Sequence, residues 1–285
     1  MPSANLLLDI QLSYNQFTKT EKKIADFVVE NAGQVLFMSI TDLADACDVA
    51  DASVYRFCRT IGMKGYQEFK MKLSLSIDPK ENAEKETGEK TREQDSLSSR
   101  MAGILDSHVS ALKETGMLLD ETAVEKAVSM MEKARNIYFF GIGDSLLTAR
   151  EAHNKFLRIT NKVNCIEDPH MQAMSASMAD SNDLIFIISY SGSTKDNVYV
   201  ARIARQSGAK IVGITRFLKS PLTNYTDVTL ICGANEGPLE GGSMSAKMSQ
   251  LYIIDVLFQE YYRRNLTVSR NNNKKTSKAV VEKLY

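Results

Sequence analysis

The sequence predicts an all-helical domain followed by an α/β domain whose five-stranded parallel sheet is flanked by helices. Three observations carry this. Residues 1–77 hold helix-period apolar patterns in short segments joined by tight turns. Residues 78–96 are charged, lack aromatics and cannot build a core. From Asn136 onward, short apolar runs alternate with helical stretches, the pattern of a parallel sheet covered on both faces. A chain of 285 residues accommodates two such domains.

In chain order, Asn5 to Gln16 is a weakly amphipathic start. Thr18 to Asn31 is a stronger helix, with Thr18 and Glu21 spaced as a capping box and Ile24, Phe27 and Val28 on one face. Met38 to Cys47 is a short helix capped at Ser39 or Thr41, and a second runs from about Asp51 to Ile61, ended by Gly62. Two short helices across a tight turn form a helix-turn-helix pattern. Ala44 is small where the helices must approach, and Asp48 stands where the turn wants a left-handed residue. Val49 and Val54 face the core, and Asp48 or Asp51 caps the second helix. That helix is expected to present Ser53, Tyr55, Arg56 and Arg59 outward. From Val54 to Lys72 the basic residues are Arg56, Arg59, Lys64, Lys70 and Lys72 against Glu68 alone, while the preceding stretch leans acidic. Positive charge is thus concentrated where a recognition helix meets DNA.

Residues 78–96 read as an exposed linker. Beyond it, Met101, Ile104, Leu105, His108, Val109 and Leu112 share one helical face, and Thr122 to Lys133 forms another helix. Strands are expected at Asn136–Phe140, Lys162–Ile166, Leu184–Ser189, Lys210–Thr215 and Val228–Cys232. Helices are expected at about Ser145–Thr160, His170–Ala179, Lys195–Ser207 and Ser243–Tyr262. The apolar stretch Met248 to Phe258 reads as core or dimer interface. The basic tail 266–285, with its Asn271-Asn272-Asn273 run, is expected to be disordered and solvated.

The centre of the second domain is Leu184 to Thr194, LIFIISYSGST. A buried strand ends in a hydroxyl-rich turn that opens a helix. Helix N-termini carry unpaired N–H groups and a positive dipole end. Ser189, Ser191, Ser193 and Thr194 add hydroxyls, and Gly192 lets backbone approach a ligand, so the turn forms a phosphate cradle without a lysine. An ordinary capped turn has the same composition.

The segment resembles the SIS (sugar isomerase) domain, whose flavodoxin- or Rossmann-like sheet carries an S-x-S-G-x-T turn after one strand and a G-x-G-x-S turn after the first. Here the latter is Gly141-Ile142-Gly143-Asp144-Ser145. The resemblance implies that Ser145, Ser189, Ser191 and Thr194 hold the phosphate of a phosphosugar, with Gly192 and Ser193 completing the cradle. Gly143 belongs to the same pocket. His170, at a strand's carboxyl end, and Glu240, in a glycine-rich loop, are candidates for the sugar. SVYRFCRTIGMKGYQEFK, from Ser53 to Lys70, resembles the DNA-binding domain of the RpiR family, bacterial regulators that answer to sugar phosphates and join this module to a SIS domain. The chain departs from that pattern at Ala50, where Ser or Thr is usual, and at Tyr55, usually smaller.

The resemblance implies a domain order of helix-turn-helix (1–77), charged linker (78–96), SIS domain (97–265) and tail (266–285). It implies a regulator, not an enzyme, whose operator affinity a phosphosugar controls, acting as a homodimer or tetramer without a cofactor. Ser53, Tyr55 and Arg56 are expected at base edges, Arg59 and Lys64 at phosphates. A phosphosugar isomerase is the alternative; it needs a positioned base, for which Glu240 and His170 are the candidates, and it leaves the basic helix unexplained. A sensor acting through a protein partner is a third possibility. Composition excludes little else. Net charge is zero, no apolar run reaches membrane-span length, and the N-terminus lacks a signal peptide's basic region. Cys47, Cys58, Cys165 and Cys232 have no C-x-x-C spacing and read as reduced cysteines of a cytoplasmic protein. His108, His153 and His170 show no metal spacing.

Overall fold

The computed structural model describes residues 5–77, 96–234, 242–281 and 283. These form two compact units that divide between Ser107 and His108. The stretch read as a linker lies outside the described residues except for Ser96.

The first unit is helical: α1 (Leu6–Ser13), α2 (Lys19–Glu30), a short α3 (Ala32–Val35), α4 (Ile40–Ala46), α5 (Asp51–Thr60) and α6 (Tyr66–Ser76). The helix starts follow from side-chain caps. Thr18 and Glu21 close a capping box on α2, and Ser39 and Asp42 close another on α4. Between α4 and α5 the chain turns through Asp48 at φ 53°, and Val49 N–H reaches the Ala44 carbonyl at 2.9 Å. Ala44 and Val54 are buried, as close approach of α4 and α5 requires. Phe17, Phe57 and Phe69 stack edge to face through the centre, with centroids 5.4 and 6.2 Å apart.

The second unit is built on a parallel sheet: β1 (Asn136–Gly141), β2 (Val163–Cys165), β3 (Asp183–Ile188), β4 (Lys210–Thr215) and β5 (Val228–Ile231), in the order β2-β1-β3-β4-β5. Helix α7 (Leu97–Leu118) runs across the division between the units. It is followed by α8 (Glu121–Lys133), α9 (Asp144–Leu157), α10 (Pro169–Met178), α11 (Lys195–Ser207), α12 (Met244–Arg264) and α13 (Leu266–Val281). Every residue of β3 is buried. Its alternate side chains feed two cores. Phe139, Phe186, Ile188 and Ile214 pack with residues of α8, α9 and α12, and Phe140, Ile185, Ile187 and Ile211 pack with those of α10 and α11. Asp227 registers the β4–β5 edge by accepting from Ile211 N–H and the Arg205 guanidinium, both at 2.8 Å.

One expectation is overturned here. Within the stretch read as a disordered tail, Leu266–Val281 is helix α13. The composition misleads because α13 docks through polar groups. Asn272 Nδ2 donates to the Ile159 carbonyl at 2.9 Å and Thr276 Oγ1 to the Arg158 carbonyl at 3.0 Å, satisfying carbonyls at the carboxyl end of α9. Within α12, Ile253, Ile254, Leu257 and Tyr261 are buried in the core, and Val256, Phe258 and Tyr262 pack partly buried against it.

Candidate functional site

In the α/β unit, β1 and β3 are neighbours, with Gly141 opposite Ile188, while the chain leaves them in opposite directions along the sheet. This is a topological switch point, where open parallel sheets bind ligands beyond the strands' carboxyl ends. The two hydroxyl-rich turns therefore lie side by side, on strands roughly 4.8 Å apart.

The turn after β1 is tight. A Cβ on Gly141 would lie 2.6 Å from the Ser145 carbonyl oxygen, so only glycine lets the first turn of α9 fold back on the strand. Gly143, at φ 60°, is the N-cap residue of α9, and Ser145 follows in the helix, partly buried. Lys247, from the first turn of α12, reaches Asp144 Oδ1 at 3.3 Å beside it.

The turn after β3 is braced by β4. Ser189 N–H donates to the Ile214 carbonyl, and the Tyr190 carbonyl accepts from Arg216 N–H and Thr215 Oγ1, all at 3.0 Å. The Gly192 carbonyl accepts from Leu222 N–H at 2.9 Å. Gly192 has φ 59°, and a Cβ there would lie 2.2 Å from Ser220 Oγ. Ser193 N–H donates to Ser191 Oγ at 3.2 Å. Thr194 is the N-cap residue of α11, but its side chain makes no capping bond. Ser189 is 2 % exposed, and its hydroxyl has no partner among the described residues. A buried hydroxyl without a partner is costly.

Sequence reasoning did not single out Ser220, Asn197, Gln172 or Arg216. Ser220 Oγ and Asn197 Oδ1 are also buried without partners among the described residues. Gln172 Nε2 ties the first turn of α10 to the Gly141 and Ile166 carbonyls at 3.1 and 2.7 Å. Arg216, after β4, pairs with Glu114 at 2.8 Å. Only Asn197 carried a signal, three residues after Thr194 on the same helix face. His170 lies in the first turn of α10, which Asp168 caps, and is exposed. Glu240 lies outside the described residues.

In the helical unit, α5 is the second helix of the helix-turn-helix pair. Its exposed face carries Tyr55, Arg56 and Arg59, and Lys64 is exposed just beyond it. Three expectations change. Ser53 does not face outward: it is 9 % exposed, and its hydroxyl accepts from Arg56 Nη2 at 3.2 Å. The 3.6-residue period turns Ser53 toward Val54 and Phe57 rather than away from them. Lys70 adds nothing to the basic face. It is buried, donates to the Met38 carbonyl at 3.2 Å and lies 5.3 Å from the Tyr66 ring centre. Neither Asp48 nor Asp51 caps α5. The N-cap residue is Ala50, without a side-chain bond, and Asp51 accepts from Thr41 Oγ1 at 2.8 Å instead.

Among the described residues no helix is long and apolar enough to cross a membrane, and no cluster of three His, Cys, Asp or Glu could hold a metal.

Comparison with known proteins adds to this geometry. Residues 4–80 match the helix-turn-helix domain of the rpiR family, and residues 130–259 match the SIS domain. An uncharacterized HTH-type transcriptional regulator of Haemophilus influenzae is 34% identical over 281 residues, 98% of each chain. The HTH-type transcriptional regulator HexR of Pseudomonas aeruginosa is 34% identical over 253 residues, 89% of this chain and 87% of HexR. The structure of the Vibrio vulnificus NanR protein complexed with ManNAc-6P superposes with a TM-score of 0.86 at 30% identity, covering 98% of this chain and 99% of that one. Phosphoheptose isomerase GmhA of Neisseria gonorrhoeae, at 13% identity and a TM-score of 0.52, shares the fold over 58% of this chain and 98% of its own.

Proposed function

Because the chain belongs to the rpiR family of helix-turn-helix transcriptional regulators that carry a SIS domain, we propose that it is a regulator whose operator affinity is set by a phosphosugar in that domain. It is a transcriptional regulator, as its relatives are named, and not an enzyme. In this reading Ser145, Ser189, Ser191, Gly192, Ser193 and Thr194 cradle the phosphate. The unpaired N–H groups and dipole of α11 supply the attraction. Gly143, His170 and Glu240 adjoin the sugar. The observation that carries the reading is the buried Ser189 hydroxyl, without a partner among the described residues, at the start of a turn that holds the positive-φ Gly192 and leads into a helix N-terminus without a side-chain cap.

Tyr55 and Arg56 meet base edges, and Arg59 and Lys64 hold phosphates. Ser53 acts on Arg56 rather than on DNA. One small helix-turn-helix grips few bases, so two copies on a two-fold operator are expected. The ligand then acts by changing the freedom or spacing of the two DNA-binding units, a coupling worth about 1–3 kcal/mol. In this reading the DNA-binding domain spans residues 1–77 and precedes the charged stretch 78–96 through which that coupling runs.

A thermal-shift panel tests this. ManNAc-6P, named with the NanR relative, leads it, followed by hexose and pentose phosphates and phosphorylated sugar acids, each beside its unphosphorylated sugar. At ~100 times its Kd, a ligand stabilises its domain by about 2.7 kcal/mol. A phosphosugar that stabilises where its free sugar does not, and that changes operator affinity without being turned over, supports the reading. Turnover of that compound, or operator binding indifferent to it, overturns the reading.

A further inference from the structure

Helix α13 has two faces of different character. On the docked side, Ser269 is buried, and Asn272 and Thr276 donate to the carbonyls that end α9. On the opposite side Arg270, Lys274 and Lys278 follow one another at steps of four residues, all exposed. At 1.5 Å per residue this row is roughly 12 Å long. Lys275 is exposed on its flank. Leu266–Val281 contains no Asp or Glu. Among the described residues none of these four cations has a carboxylate within ion-pair distance, whereas Arg263 and Arg264, at the end of α12, are both held by Glu260 at 2.7 and 2.6 Å. The row opposes the helix that carries it. Arg270 with Lys274, and Lys274 with Lys278, are like-charge pairs that destabilise a helix, and no acidic residue in the first turn complements the dipole. The chain carries no net charge, so the row is a local excess. A local arrangement that works against the fold is expected where a surface serves binding.

We propose that the outer face of α13 holds backbone phosphates of duplex DNA, as a sequence-independent contact added to that of the recognition helix. Helix α13 belongs to the α/β unit, so this contact is separate from the helix-turn-helix. Charge complementarity selects the occupant. The chain belongs to a family of helix-turn-helix regulators, for which duplex DNA is the expected polyanion. A row of cations without carboxylate partners displaces condensed counterions when it meets the phosphate backbone. Thr267 and Asn271, exposed on the same face, add neutral donors of the kind that bind phosphate oxygens. The helix has no aromatic ring on which an unpaired base could stack, which disfavours single strands. It has no apolar face free to enter a lipid surface, because the side opposite the cations is docked on α9. The inference rests on the chain's membership of a DNA-binding family and not on its response to a phosphosugar.

Fluorescence anisotropy of the full-length protein on a random-sequence DNA duplex, titrated at several salt concentrations without phosphosugar, tests it. Arg270→Gln/Lys274→Gln/Lys278→Gln is expected to lower the slope of log K against log[salt] by about 2.7, since each lost phosphate contact removes ~0.9. Between about 50 and 200 mM salt the wild type then loses about 40 times more affinity than the variant. The substitutions remove like-charge pairs, so the urea midpoint should equal or exceed that of wild type. Lys274→Gln alone, the milder change, should lower the slope by about 0.9. Lys113→Gln/Lys133→Gln/Lys210→Gln, at three exposed lysines elsewhere in the same unit, changes the net charge equally and should keep the wild-type slope. An α13 triple variant or Lys274→Gln variant with the wild-type slope overturns the proposal, as does a control variant whose slope falls as far. Attachment to phosphatidylserine vesicles that the α13 substitutions abolish, with duplex binding untouched, gives the face to lipid and also overturns it. Because no phosphosugar is present, failure here leaves the regulator reading standing, and failure of the thermal-shift panel leaves this contact standing.

Discussion

Ser189 shows how a single side chain reports on function. Its hydroxyl is buried without a partner among the described residues, so the free protein bears a cost that, in the proposed reading, a phosphate oxygen removes. Ser189→Ala is therefore expected to leave the free protein as stable as wild type, or more stable by about 1 kcal/mol, while weakening phosphosugar binding. Urea unfolding with and without ligand checks both halves. A variant that lost stability and kept its affinity would give Ser189 a structural role alone. Arg56 makes the corresponding case in the helical unit. It is exposed but oriented by the buried Ser53 hydroxyl. Arg56→Ala should cost about 1–3 kcal/mol of operator affinity if it reads a base in bidentate fashion, with little change in non-specific binding. Titration against operator and scrambled DNA at one salt concentration measures the difference.

Among the elements, the recognition helix α5 begins without a cap. Ala50 offers no oxygen, and Asp51 is engaged by Thr41. Ala50 already has extended backbone angles, φ −82° and ψ 151°, as an N-cap residue needs. Ala50→Ser is expected to raise stability by about 0.5–2 kcal/mol, read as a shift in the urea midpoint; no gain would mean that the α5 N–H groups are satisfied elsewhere. Helix α13 argues the opposite way. Asn271-Asn272-Asn273 and the basic residues suggest a solvated tail, yet Asn272 and Thr276 close the carbonyls at the end of α9. Sequence could not reveal this, because the acceptors lie more than a hundred residues away. The capping box of Thr18 and Glu21, by contrast, was legible because both partners lie within one turn, while the cap of α4 was left open between Ser39 and Thr41.

Over the whole molecule, charge sets the response to acid. Glu21 is held below its ordinary range chiefly by the Thr18 N–H. Asp180 is lowered chiefly by the Asn182 N–H. Glu260 falls to about 2 under Arg263 and Arg264. For Asp227 burial is the largest single influence and acts upward, but Arg205 and the Ile211 N–H together outweigh it. A carboxylate with a depressed folded pKa contributes stability above its unfolded value and loses it as pH falls through the folded one. Stability should thus hold from neutrality to about pH 5 and decline below it. Asp227→Asn should flatten part of that decline, measured as urea midpoints from pH 7 to 2; an unchanged slope would place the linkage on the other carboxylates. Cys58 is pushed up to about 12 by burial, and Cys165 to about 11 by burial and Glu167, so both thiols stay protonated at neutral pH.

The sequence by itself determined the two-part architecture, the parallel sheet and the positions of both hydroxyl-rich turns. Each of these is written in local periodicity, or in residues a few positions apart. It also placed Asp48 in the left-handed turn and Arg56 and Arg59 on the recognition helix. Tertiary structure alone decided the rest, because the deciding groups are distant in sequence. Only packing buries Lys70 against the Met38 carbonyl. The loop after β4 sets Ser220 against Gly192. The pairing of β1 with β3 brings together two turns more than forty residues apart, and long-range burial leaves the Ser189 hydroxyl without a partner among the described residues.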